Sequence, residues 1–90
     1  MKLVQFAIPE KVGMLCAEVA ATLAGGATLV PAFGWWVDGD GVIQRERVNW
    51  LIVGSHDPQK LVEAIKGILR NAGESAIFYI IGDKPYLEWL

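Results

Sequence analysis

Along this chain the apolar residues switch between the strand period of two and the helical period of about 3.6, and most switches fall at prolines or glycines. Val4, Phe6 and Ile8 alternate with Leu3, Gln5 and Ala7, which predicts a strand with one strongly apolar face, ended by Pro9. From Glu10 the period lengthens: Val12, Leu15, Cys16, Val19, Ala20 and Leu23 form one helical stripe, closed by Gly25-Gly26. Thr28 to Val37 and Val42 to Gly54 are predicted strands joined through Asp38-Gly39-Asp40-Gly41, a turn rich in residues that accept positive φ. Together they make a long β-hairpin. Pro31 cannot donate to a strand ladder, so it is expected at a bulge, a bend or a sheet edge. Asp57-Pro58 is an N-cap and N1 pair for a second helix, whose stripe of Leu61, Val62, Ile65, Ile68, Leu69 and Ala72 runs to Gly73. Ala76 to Ile81 reads as a short, wholly apolar strand, and Gly82-Asp83-Lys84-Pro85 turns the chain toward a final segment, Tyr86 to Leu90.

The order strand, helix, strand, strand, helix, strand predicts an α+β domain of the ferredoxin-like βαββαβ kind, with a long hairpin between the second and third strands and a short C-terminal extension. Ninety residues hold one such domain, spanning 1–90. The sequence is 53% hydrophobic and 20% charged and carries four Trp, more apolar material than one small core hides. In Asn49-Trp50-Leu51-Ile52-Val53 and Ile77-Phe78-Tyr79-Ile80-Ile81 the apolar residues occupy both parities, so both sheet faces are expected to be dry. Two helices cover one face. Copies of the same chain are the economical cover for the other.

The formal charge of -2 gives no drive toward phosphate backbones or anionic lipid, and the aromatic run of an RNA-reading ferredoxin fold is missing, so nucleic acid is not an expected partner. One cysteine, Cys16, cannot form an internal disulfide, and its place in the helical stripe makes it a packing thiol; a reducing cytoplasm fits. The apolar run Leu3 to Ile8 is too short for a signal-peptide core or a spanning helix, so no membrane association is expected.

Catalytic devices are sparse. His56, the one histidine, sits beside the Asp57-Pro58 cap, and nothing ties Ser55, Ser75 or Cys16 to it as a nucleophile. The chain is therefore not expected to be an enzyme. The Asp38 to Gly41 turn lacks the later ligands of a calcium loop, because its twelfth position is Asn49. Gln44-Arg45-Glu46-Arg47 alternates charge along a strand; it reads as a solvated segment, or as one that brings Arg45 or Arg47 into a crevice between subunits to hold an anion. Adjacent Trp35 and Trp36 must point to opposite faces, so at least one is expected to pack on a neighbouring element or subunit.

The succession Leu23-Ala24-Gly25-Gly26-Ala27-Thr28-Leu29-Val30-Pro31, Trp35-Trp36, a hairpin, Glu46, an apolar strand, a helix and a closing Tyr86-Leu87-Glu88-Trp89-Leu90 resembles the CutA family of divalent-cation tolerance proteins over residues 7–90. The resemblance implies a PII-like ferredoxin fold assembled as a homotrimer, a binding or signalling role in the response to divalent metal ions such as copper, and a cytoplasmic location. On that model Arg45, Arg47 and Glu74 line a ligand-binding cleft between subunits, and Trp35, Trp36, Trp50, Tyr86 and Trp89 lie at the oligomer interface. The family's metal-contacting Cys is replaced here by Gly26, and of its His-Pro-Tyr-Glu run only Glu74 remains. His56 and Glu74 are then the candidate metal ligands, with Asp38 and Asp40 as further donors, and such a set makes a weak, oxygen-rich site. The alternative is a small oligomeric interaction protein with no small-molecule ligand, built to bind another protein through its hairpin.

Overall fold

A computed structural model describes all 90 residues. Strand β1 runs Lys2–Pro9 and passes through a 3-10 turn at Glu10–Val12 into helix α1, Gly13–Ala24. Gly25 then takes the left-handed conformation, φ 93°, and its N–H returns to the Ala21 carbonyl, which stops the helix. Strands β2, Thr28–Val37, and β3, Ile43–Ser55, form the long hairpin; helix α2 is Pro58–Asn71, β4 is Ala76–Ile81 and β5 is Lys84–Trp89. The final segment is thus a fifth strand, paired antiparallel along the whole length of β4. The five strands form one antiparallel sheet in the order β2-β3-β1-β4-β5, so the fold is α+β.

Registers show why the alternation in β1 was informative. Phe6 lies between Leu51 of β3 and Tyr79 of β4, and Val4 between Val53 and Ile81. These side chains share one face with Ile8 and Ile77, and both helices pack on it: α1 with Cys16 and Ala20, α2 with Leu61, Val62, Ile65 and Leu69. At about 1.5–3 kcal/mol per fully buried large apolar side chain, this single-sided core is what holds the chain together. α2 is begun by Asp57, whose carboxylate accepts the Lys60 N–H at 3.2 Å.

The stripe expected on α1 needs correcting. Leu15 is 51% exposed and Leu23 41%, while the buried positions are Gly13, Cys16 and Ala20. Small residues face inward because the helix approaches β3 closely: a Cβ on Gly13 would stand 1.9 Å from Asn49 Oδ1. Pro31 resolves as an edge residue, since β2 borders the sheet and pairs with β3 in unbroken register from Thr28↔Ile52 to Val37↔Ile43.

Candidate functional site

Partners across an antiparallel sheet share a face, so the registers sort every strand residue. The face turned away from the helices carries Val30 and Trp36 of β2, Trp50 and Ile52 of β3, Leu3 of β1, Phe78 and Ile80 of β4, and Leu87 and Trp89 of β5. No element of the chain covers it. Trp36 is 49% exposed, Leu87 67% and Trp89 81%, an apolar surface reaching across all five strands. Its middle is already ordered: Trp50 Nε1 donates to Gln5 Oε1 at 2.8 Å, and the Trp50 and Phe78 rings lie 6.5 Å apart. Three of the five expected interface aromatics, Trp36, Trp50 and Trp89, lie on this face. Trp35 and Tyr86 lie on the opposite one.

Beyond Asn49, which sits beneath Gly13, the hairpin leaves the helix-covered body, and residues Ile43 to Arg47 are all exposed. On its helix-side face Phe33 and Trp35 have ring centroids 6.2 Å apart, and the Arg45 guanidinium lies 5.2 Å over the Phe33 ring. Arg47 stands opposite Phe33 on the same face. The three ion pairs of the chain use Lys11 and Lys66, leaving both hairpin arginines without a carboxylate partner. Glu74, at the same end of the sheet, is engaged by Lys11 at 3.8 Å, and Lys11 also donates to the Ala72 carbonyl at 3.1 Å.

The candidate metal ligands are scattered. His56 precedes α2 and Glu74 follows it, so a 14-residue helix, about 20 Å long, separates them. Asp38 closes the hairpin turn: its carboxylate accepts from the Asp40 N–H at 2.9 Å, the Val42 N–H at 3.0 Å and the Gln44 side-chain amide at 2.8 Å. The Gln44 bond, then that of Val42, holds its carboxyl below the usual carboxylate range. No three His, Cys, Asp or Glu side chains stand together within one chain. Cys16 is buried, and desolvation pushes its thiol up to about 11.

One cluster had no signal in the sequence. Glu88 of β5 accepts from Lys66 of α2 at 2.7 Å and from the hydroxyl of Tyr79 on β4, while Glu63 approaches Lys66 at 3.4 Å. The Lys66 bond and then the Tyr79 bond lower the Glu88 carboxyl; the Glu88 bond raises Lys66. Tyr79 is raised by burial and then by Glu88. Tyr86, expected at the interface, stacks on Tyr79, with centroids 5.0 Å apart and planes 15° from parallel. Only the pairing of β5 on β4 puts Glu88 within reach of α2, and pairing partners are not encoded in local periodicity.

No known protein-family pattern and no curated protein matches the chain. No helix is long and apolar enough to cross a membrane.

Proposed function

We propose that the protein is a CutA-like, PII-type homotrimer of ferredoxin-like subunits, a binding or signalling protein with its ligand held between subunits. The observation that carries the reading is the uncovered apolar face spanning five strands, opposite the face on which both helices pack. A single 90-residue chain cannot bury that face, and a closed ring of copies does so with one repeated contact. The sheet order β2-β3-β1-β4 with both helices on one side supports the ferredoxin-like reading of the element order. Arg45 and Arg47, unpaired on a projecting hairpin, favour a small anion held where the hairpin meets a neighbouring subunit. A divalent ion such as copper, the ligand class the resemblance implies, would need donors from more than one subunit, because His56 and Glu74 lie at opposite ends of α2.

Sedimentation equilibrium at micromolar concentration tests the assembly: the expected mass is three times the 9.9 kDa of one chain, and a monomer would remove the basis of the proposal. Calorimetric titration with copper and with zinc tests the metal arm, with the Glu74→Gln trimer as control. The exposed Phe33, Trp35, Val37 and Ile43 at the hairpin end favour a second reading, a protein-interaction module. A thermal-shift panel of metals, nucleotides and amino acids that leaves the midpoint unmoved would select it.

A further inference from the structure

At the end of the sheet away from the projecting hairpin, three separate stretches of chain enclose an open hollow of about 720 Å³. The start of β1 contributes Lys2, the passage from β3 into α2 contributes His56 and Gln59, and the β4–β5 turn with the first half of β5 contributes Asp83, Lys84 and Tyr86. The Gly82 N–H donates to the Leu3 carbonyl at 2.7 Å, which ties that turn to β1 and sets the two lysine-bearing strand ends, of β1 and β5, on either side of the end of β4. Neither Lys2 nor Lys84 takes part in an ion pair. In a chain of net charge -2, two unpaired ammonium groups on one rim, against the single carboxylate of Asp83, make a locally positive recess.

The walls divide the recess by chemistry. Lys2 and Lys84 offer charged donors, with Gln59 and His56 as polar neighbours. Tyr86 lies one face down on Tyr79, yet is still 38% exposed, so it offers a flat aromatic surface. The volume falls within the range of small-molecule sites, roughly 300–1,000 Å³. Lys2, Lys84 and Tyr86 are on the helix side of the sheet by register, so packing of copies on the opposite face leaves the recess open.

We infer that this recess binds a small organic phosphate, its phosphate placed between Lys2 and Lys84 and its flat apolar body against Tyr86. Asp83, on the intervening turn, supplies an acceptor for a hydroxyl or amine of the ligand and sets a limit on its total negative charge. All of these groups come from one chain, so binding does not depend on the oligomeric state.

Phenyl phosphate, inorganic phosphate and benzoate serve as probes, each titrated into the isotopically labelled full-length protein while amide shifts are followed. Phenyl phosphate is expected to move the amides of residues 2–3, 56–59 and 82–86 and to bind at least tenfold tighter than either of the other two. The Lys2→Gln/Lys84→Gln double variant should lose at least tenfold in affinity, whereas Arg70→Gln, a cation in the last turn of α2 and outside the recess, should leave it unchanged. Shifts confined to the hairpin, loss of binding in the arginine variant, or equal affinity for phenyl and inorganic phosphate would overturn the assignment.

Discussion

Gly13 is the residue on which the placement of α1 turns. It lies against Asn49, a buried polar side chain whose amide reaches only the Val48 carbonyl, at 3.3 Å. Gly13→Ala should destabilise the protein by about 1–3 kcal/mol, the usual range for overpacking a filled contact. Urea denaturation checks this, and a second substitution, Asn49→Ala, should return part of the loss, because the two sites share the contact. Cys16 gives a second expectation at this scale: with its thiol pushed up to about 11 and buried, it should resist a disulfide exchange reagent at pH 8 in the folded protein and react promptly in urea. The burial of Cys16 was legible from the helical stripe. The inward turn of Gly13 was not, because apolar periodicity ranks Leu15 and Leu23 as core positions, and only the closeness of α1 to β3 reverses that order.

Among the elements, β5 shows most clearly what lies outside local sequence. Tyr86 to Leu90 follows a turn and reads as an extension, yet its pairing with β4 makes it a sheet edge fastened to α2 through Glu88, Lys66 and Tyr79. The carboxyl of Glu88 is depressed in the folded state, so its stabilisation is complete above the ordinary carboxylate range and disappears as pH falls through the folded-state value. Lys66 is raised, so its share is complete below the ordinary lysine value of 10.5 and is lost as pH rises past the higher folded-state value. Glu88→Gln should therefore lower the melting midpoint most near neutral pH, with the difference from wild type closing as pH falls through the depressed folded-state value of Glu88. Amide exchange should quicken at Tyr86 to Trp89 while α2 keeps its protection. The hairpin was far more legible: β2 and β3 begin and end within a residue of the expected bounds, because alternation and the Asp38 to Gly41 turn specify both strands and their closure. Asp38→Ala removes three hydrogen bonds from that turn and should loosen the hairpin tip selectively, seen as faster exchange at Asp40 and Val42.

For the whole molecule the apolar surplus of the composition has a definite address. Residues of both parities in β3 and β4 called for two dry faces, and the structure fills one with helices and leaves the other bare across five strands. If copies cover it, Trp36→Glu and Leu87→Glu should each shift the sedimentation mass to a single chain, while Trp35→Glu, on the other face, should shift it less. The ligand chemistry was less legible than the fold. Arg45, Arg47 and Glu74 come to the same end of the sheet, but Glu74 is held by Lys11, and the remaining separation is a matter of how chains meet rather than of how one chain folds. The hydrogen bond from Trp50 to Gln5 has a bearing on that meeting. It fixes the central indole before any partner arrives, so docking there costs little side-chain ordering, whereas Leu87 and Trp89 at the margin must still be immobilised. Association on this face should start from a rigid centre and finish at a pliant rim, with dissociation beginning at the C-terminal strand.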